Sequence, residues 1–388
     1  MSKTIRIGVI GMGWMGNVHA RAYRSLIERF NDTDLSIVLA VCADDVEQRA
    51  QQAQAQLGFT RSTTDWKQVV NDPEIDAVVV TTPNNTHLDI IQAAAANGKH
   101  IFCEKPVGCN PQETAAAYRA SQANPIVTSV GYNYRWAPLV QYARQLIADG
   151  KLGQITHYRG RFLVDYGSDP RGVLSWRFQR DVAGSGTLGD LMSHVIDMGH
   201  MLVGPISHVV SNHHQFIRER PLSTPGQGTH FSVGSDGPKG KVTNEDYVSA
   251  LAAFANGAQA TFEVCRVVKG HDCEMAFEVN GTKGALKWNY ERMNELEVRL
   301  PDSDNHQEGF TLLRAGPQHP EFAHFYPGTG NSMSYEDLKL IETHQFLQSI
   351  AEDRQHKPSF ADALAVAEVH AAMARSWESR QWEEVTAL

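Results

Sequence analysis

An α/β chain is predicted: a helix-covered parallel sheet in the first third, then an α+β domain with a large open, mainly antiparallel sheet. Three observations predict it. From residue 5 to residue 130, short β-rich runs alternate with helical stretches, the pattern of βαβ units. The first run, Ile5–Ile10, passes straight into a glycine turn and a helical stretch. Beyond residue 154, strand-like runs cluster instead of alternating. A chain of 388 residues exceeds the usual single-domain size, so two domains are expected, at 1–131 and 132–388, with the last helix able to pack back on the first.

Strands are expected at Ile5–Ile10, Ile37–Cys42, Ala77–Thr81, His100–Glu104 and Ile126–Val130, with helices near 14–29, 46–57, 87–97 and 111–122. Pro83, Pro106 and Pro125 fall in the connections, where they break no ladder. Polar Asn31–Asp34 and Ser36 read as a surface loop before the second strand. A helix near 136–149 leads into strand runs near 154–165 and 206–217. Between these lies a helix near 188–203, stopped by Gly204-Pro205. Further strands are expected near 246–255, 257–268, 272–279, 284–289 and 295–300, and closing helices near 335–352 and 361–379. Residues 218–243 and 301–333, rich in Gly, Pro, Ser, Asp and His, read as long loops.

In the glycine turn Gly11-Met-Gly13-Trp14-Met15-Gly16, Gly11 permits the tight turn, Gly13 lets backbone approach a pyrophosphate, and Gly16 allows close helix–strand packing. The strand before it and the helix after it make this a dinucleotide-binding Rossmann turn. An acid at the end of the second strand, Asp44 or its neighbour Asp45, is placed to bind the adenosine ribose; the alternative is a pair of solvated acids at a helix N-terminus. Such an acid favours NAD over NADP, although Arg49 close by leaves NADP open. Thr82, Pro83, Asn85 and His87 follow the apolar strand Ala77–Val80, at the carboxyl end where open α/β sheets bind ligands. A helix-cap role suits His87 equally well.

Glu104-Lys105-Pro106 ends the fourth strand and aims a lysine at the same crevice. Farther on, Gly184-Ser185-Gly186 enters a helical stretch in which Asp190, His194 and Asp197 stand at i, i+4 and i+7, one face of a regular helix. A carboxylate there can orient an imidazole, which ordinarily titrates near ~6.5 and so suits proton transfer at neutral pH. Taken singly, the lysine reads as a solvated charge and the histidine as a structural one.

Together these residues resemble the glucose–fructose oxidoreductase, inositol dehydrogenase and rhizopine-catabolism (Gfo/Idh/MocA) family over nearly the whole chain. The matching features are the glycine turn with His19, Thr82-Pro83-Asn84, Glu104-Lys105-Pro106, Gly131-Tyr-Asn133-Tyr-Arg135, Trp176-Arg177, and Gly186 through Asp190 to His194. The resemblance implies an NAD-binding Rossmann domain and a second domain that carries substrate contacts and commonly an oligomer interface, as a dimer or tetramer. It implies Lys105, Asp190 and His194 as the catalytic trio, and Trp14, Met15, Glu104, Lys105, Asn133, Trp176 and Arg177 among the cofactor contacts. Ser185 within the glycine run and Gly189 depart from the family pattern. Tyr335 in Tyr335-Glu-Asp-Leu-Lys looks like dehydrogenases of inositols and of pyranose or anhydro (levoglucosan-type) sugars. That likeness makes Arg161, Asp165, Tyr166, Arg177, Tyr326 and Tyr335 candidate hydroxyl-binding residues.

A net charge of −9 speaks against nucleic acid as a partner. The five cysteines contain no CxxC, so disulfides and structural zinc are not expected. Of seventeen histidines, adjacent His213 and His214 would point to opposite faces of a strand, and no HExxH occurs; no catalytic metal is expected. No leader is legible after Met1, and no apolar run approaches the ~20 residues of a membrane helix, so a cytoplasmic protein is expected. Three functions remain: an NAD-dependent dehydrogenase of a polyol or sugar, an NAD-retaining glycosidase that works by transient oxidation, and a non-enzymatic NAD-binding regulator. The intact Lys105, Asp190 and His194 favour the first.

Overall fold

The computed structural model describes residues 3–31, 34–222, 231–234, 237–300 and 309–388. It divides into two compact units, Met1–Asn133 with Ser334–Leu364, and Tyr134–Met333 with Ala365–Leu388. The expected single cut near residue 131 therefore needs correcting: the segment 334–364 returns to the first unit.

The first unit contains strands β1 (Lys3–Ile10), β2 (Leu35–Ala43), β3 (Arg61–Thr63), β4 (Ala77–Val80), β5 (His100–Cys103) and β6 (Thr128–Val130). Its helices are α1 (Trp14–Arg29), α2 (Glu47–Leu57), α3 (Lys67–Val70), α4 (His87–Ala96) and α5 (Pro111–Ser121). All pairings in the sheet, ordered β3-β2-β1-β4-β5-β6, are parallel. Strand β4, Ala-Val-Val-Val, is buried at every residue, as a strand covered on both faces must be. The order reverses between β1 and β4, which sets a ligand crevice at their carboxyl ends. β3 and α3 escaped the sequence reading because three or four residues carry no period.

The second unit opens with α6 (Pro138–Ala148), β7 (Ile155–Val164), the short α7 (Arg180–Ala183) and α8 (Ser193–Leu202). Strands β8 (Ile206–His214), β9 (Glu219–Pro221), β10 (Lys239–Lys241), β11 (Tyr247–Phe254), β12 (Gln259–Cys265), β13 (Cys273–Gly281), β14 (Ala285–Asn289), β15 (Glu295–Arg299) and β16 (Thr311–Arg314) follow. Helix α9 (Tyr335–Ala351) belongs to the first unit; α10 (Phe360–Ser379) passes into the second, where β17 (Glu383–Glu384) ends the order. Nine strands form one sheet, β16-β15-β14-β13-β7-β12-β11-β8-β17, in which only β7 and β12 run parallel.

Alternation along β7 assigns the two faces of this sheet. Tyr158, Gly160 and Phe162 are buried on the side of α8, where the Tyr158 hydroxyl donates to the Val195 carbonyl at 3.1 Å. Gly160 is required there, because a Cβ would run into the Val195 side chain. Arg159 and Arg161 point to the opposite, open face.

The long loops at 218–243 and 301–333 are partly structured, since β9 pairs with β10 and β16 adds an edge to the sheet. Residues 223–230, 235–236 and 301–308 of those loops, and 32–33 of the first loop, lie outside the described residues. The expected helix at 188–203 is also revised: Leu188–Met192 form a π-turn before α8 begins. No helix among the described residues is long and apolar enough to cross a membrane.

Candidate active site

In the first unit the crevice is lined from the ends of β1, β2, β4 and β5. Gly11 has φ +95°, and a Cβ there would press on the Thr81–Thr82 backbone. The Thr81 hydroxyl donates to the Gly11 carbonyl at 2.6 Å and ties the β4 end to the turn. At Gly16 a Cβ would overlap the Gly11 carbonyl, whereas at Gly13 it would meet nothing within 4 Å. Open space over Gly13 is what a pyrophosphate needs to approach the backbone. Asn133 Nδ2 is buried without a hydrogen-bond partner, an orphaned donor that a bound ligand would satisfy. The first unit thus fits a dinucleotide.

Asp44 accepts from the Met12 amide at 2.7 Å and the Val46 amide at 2.9 Å, and Arg49 lies 3.9 Å away; Asp45 is exposed. Burial raises the Asp44 carboxyl above its ordinary range, against the pull of those two amides and of Arg49. Trp14 and Tyr335 stack at 5.7 Å and 19°, and the Tyr335 hydroxyl lies 3.6 Å from Met15 Sδ, so Tyr335 belongs beside the glycine turn. Thr82 accepts from the Thr86 hydroxyl at 2.7 Å, Pro83 and Asn85 are exposed, and Lys105 is half-buried.

Two expected cofactor contacts are turned elsewhere. His87 is buried with its ring nitrogens 2.9 Å from the Thr82 and Pro106 carbonyls. Burial lowers its pKa, and a neutral ring can donate to only one of those carbonyls, so a single hydrogen bond holds His87 between the two loops. Glu104 is buried as well, its carboxylate 2.9 Å from His19 Nε2 and 2.5 Å from Lys339 Nζ. Lys339 was not anticipated, because its partner lies 235 residues away in sequence.

In the second unit the π-turn carries Asp190. Its carboxylate accepts from the Tyr166 hydroxyl at 3.1 Å and faces the Arg177 guanidinium at 3.2 Å. Burial, followed by the Asp190 charge, raises the Tyr166 phenol. Arg177 also lies over the Trp176 ring at 4.6 Å, so within this unit Trp176 and Arg177 join the Asp190 group. Asp197, expected on the same face, instead binds Arg135 through both oxygens as a buried ion pair. The π-turn breaks the 3.6-residue register on which that shared face rested.

His194 is 5 % exposed at the start of α8, edge-on to Tyr134 at 4.9 Å and tilted on Phe162 at 5.8 Å. Asp165 is half-buried at the end of β7, and Tyr326 packs on Phe322. Arg161 needs correcting. It stands on the face of β7 opposite Phe162 and pairs with Glu274 through two 2.8 Å bonds, away from His194.

A second set of residues escaped the sequence reading. Glu245 accepts from the Leu188 amide at 2.9 Å, and its carbonyl accepts from the Thr187 amide at 3.2 Å, so it grips the entry to the π-turn. Gly186 is needed there, because a Cβ would overlap the Glu245 carbonyl. Asn244 Nδ2 and Arg266 both donate to the Arg177 carbonyl, at 3.0 and 3.1 Å, and Arg266 is held by Asp246 at 2.8 Å. The one hint was the polar run Asn244-Glu245-Asp246 ahead of a strand. Among the described residues His19, Glu104 and Glu342 form a ligand-type cluster, with the Lys339 ammonium among them.

Comparisons with known proteins bear on the family and the fold. Residues 5–132 match the oxidoreductase family with an NAD-binding Rossmann fold, and residues 140–287 match the GFO/IDH/MocA C-terminal domain. Levoglucosan dehydrogenase of Pseudarthrobacter phenanthrenivorans is 39% identical over 99% of this chain and 98% of that protein. The scyllo-inositol 2-dehydrogenase (NAD(+)) of Bacillus subtilis is 30% identical over 74% of each chain. A solved levoglucosan dehydrogenase in complex with NADH superposes with a TM-score of 0.94 at 38% identity, covering 100% of both chains.

Proposed function

This chain belongs to the Gfo/Idh/MocA family of oxidoreductases, and from that premise we propose that it oxidises a secondary hydroxyl of a pyranose, anhydro sugar or inositol to the carbonyl, with NAD as acceptor. The observation that carries the substrate class is the Asp190 group. Tyr166, Arg177 and Asp190 present donors and acceptors whose charges cancel, which suits a neutral polyol. Full-length similarity to a levoglucosan dehydrogenase supports trying anhydro sugars first among the candidates.

In this reading the His194 imidazole takes the hydroxyl proton. The Lys105 ammonium hydrogen-bonds the same oxygen and stabilises its developing negative charge. Asp190, fixed by Tyr166 and Arg177, accepts from a neighbouring substrate hydroxyl and orients the ring. Bound NAD supplies the acceptor for the hydride leaving carbon. Carbon thus loses a hydride, oxygen loses a proton, and a carbonyl forms.

We also propose that the open face of the nine-stranded sheet receives a second copy of the chain. It carries a shallow depression of ≈ 650 Å³ lined by Arg159, Arg161, Glu278, Lys287 and Glu297 together with the exposed Leu251 and Leu312. Apolar centres among charges of both signs suit a self-complementary interface.

A spectrophotometric screen at about 340 nm with NAD and NADP, over levoglucosan, inositols, aldoses and glycosides, tests the activity. Stoichiometric NADH with a sugar carries the proposal. Glycoside cleavage without net NADH would replace it with the redox-neutral glycosidase, and inertness toward every substrate would overturn it.

A further inference from the structure

Arg266 and Asp246 pair at the adjoining ends of β12 and β11, with 1 % and 0 % of their surfaces exposed. A pair built only for anchorage meets fork to carboxylate, two nitrogens on two oxygens. This one does not. Arg266 spends Nε alone on Asp246, at 2.8 Å, and the other Asp246 oxygen accepts from the Phe216 and Ile217 amides at 2.8 and 3.0 Å. The terminal nitrogens reach elsewhere: Nη1 donates to the Arg177 carbonyl at 3.1 Å, and Nη2 to Asn244 Oδ1 at 2.9 Å. Asn244 Nδ2 donates to the same Arg177 carbonyl at 3.0 Å, which fills both of its lone pairs.

The Arg177 carbonyl lies in a single helical turn, Trp176–Phe178. The next carbonyl, that of Phe178, accepts from the Thr243 amide at 3.0 Å. The buried Phe178 ring has the Arg266 guanidinium against it at 4.5 Å and that of Arg220 at 4.1 Å. Arg220 is buried in turn, donating to the Asp169 carbonyl at 2.9 Å and to that of Gly167. A single turn has no length of regular helix to set its orientation, so these anchors do it. From the turn so fixed, the Arg177 guanidinium lies over the Trp176 ring at 4.6 Å and faces Asp190 at 3.2 Å.

We infer that Arg266 and Asn244 are positioning residues for the proposed oxidation: by holding the Arg177 carbonyl they aim the Arg177 guanidinium at Asp190 and keep the substrate-binding group assembled. The inference rests on the dehydrogenase reading above. An ion pair this deep adds little stability over an apolar pair of the same volume. What this pair supplies, and an apolar one cannot, is a set of donors on the Arg177 carbonyl. Asp246 keeps the Arg266 charge paired, and Asn244 closes the triangle between Arg266 and that carbonyl.

Full-length wild type, Asn244→Ala, Arg266→Lys, Arg177→Lys and Asn244→Ala with Arg177→Lys test this. Arg266→Lys keeps a cation beside Asp246 but loses the fork. Each protein is measured for steady-state kinetics, for NADH binding by fluorescence, and for phenylglyoxal labelling of individual arginines read by mass spectrometry. In Asn244→Ala and Arg266→Lys, labelling of Arg177 is expected to rise at least about threefold, while Arg220, buried against the same ring, stays unlabelled. KM for the sugar is expected to rise about fivefold, with kcat and NADH affinity within about twofold of wild type. On the Arg177→Lys background, Asn244→Ala is expected to cost less than about twofold further, because its effect runs through Arg177. Arg177 labelling as slow as in wild type, or labelling that rises at Arg177 and Arg220 alike, overturns the inference, and so does full additivity with Arg177→Lys. If neither single variant folds, the pair serves the fold rather than the guanidinium, and the inference falls as well. Labelling needs no turnover, so a wild type that oxidises no sugar removes the dehydrogenase reading and leaves this readout to decide the positioning of Arg177.

Discussion

Asp44 and Met12 are joined across the mouth of the glycine turn, the Met12 amide donating to Asp44 Oδ2 at 2.7 Å. The other carboxylate oxygen accepts from the Val46 amide, so each oxygen keeps a lone pair, and we propose that these accept from the ribose hydroxyls of the cofactor. Asp44→Ala then removes support for the turn, which weakens both cofactors, and the ribose contacts, which weakens NAD further. Charge-assisted bonds of about 1.5–3 kcal/mol translate to roughly 10- to 100-fold in the NAD dissociation constant, with a smaller loss for NADP. Exposed Asp45 is expected to tolerate Ala with NAD affinity within about threefold of wild type. Titrating both cofactors against both variants checks this, and equal losses for NAD and NADP in Asp44→Ala would take Asp44 off the ribose.

The pair Arg177–Asp190 predicts how the substrate is held. Arg177→Lys keeps the charge but loses the planar fork, and is expected to cost about 10-fold in kcat/KM. Tyr166→Phe removes one bond to Asp190 and is expected to cost about 3- to 10-fold, mostly through KM. His194→Ala should lose about 10²- to 10⁴-fold in kcat and with it the base limb of the pH–rate profile. A profile unchanged in His194→Ala would require another base.

The first unit was legible because its signals are local. The strand–glycine–helix run and the alternation of short apolar strands with helices each fit within a window of about 30 residues. What escaped was tertiary. Glu104 has the sequence position of a cofactor contact, but Lys339, on a helix that returns from far down the chain, holds its carboxylate inward. Arg161 looked like a substrate ligand because its type was right, and only the pleat of β7 shows that it faces away from His194. The π-turn at Leu188–Met192 has no period to read, so helical spacing put Asp197 with Asp190, although Arg135 claims it.

Arg161 and Leu251 together test the two faces of the large sheet. Arg161→Ala, on the open face, is expected to leave kcat within about twofold of wild type, since its guanidinium meets Glu274 rather than the Asp190 group. Leu251→Asp places a charge in the depression on the same face and is expected to yield monomers by light scattering coupled to gel filtration. Unchanged assembly in Leu251→Asp would move the proposed interface elsewhere.

Buried histidines set the response to acid. His370 on α10 is buried, and burial, with His200 adding repulsion, lowers its pKa to about 3. His19 and His87 are shifted down by burial as well. An unfolded chain protonates these rings near ~6.5 while the folded chain resists, so below that pH the unfolded state binds more protons. Their contribution is therefore full above pH ~6.5 and is lost progressively as pH falls toward 3. Glu104 acts in the same direction but later: its carboxyl is held below the ordinary range, so its contribution is full above the ~4.3 at which the unfolded chain takes up the proton and fades only below it. Thermal unfolding between pH 7 and pH 4 is expected to show a falling Tm whose slope begins near ~6.5 rather than near the ~4.3 of an ordinary glutamate. His370→Gln removes one of the titrating groups and should raise Tm at pH ~4.5, relative to its own value at pH 7, by on the order of 5 °C over wild type. An identical Tm–pH slope in the two proteins would mean that His370 is protonated at no cost to the fold.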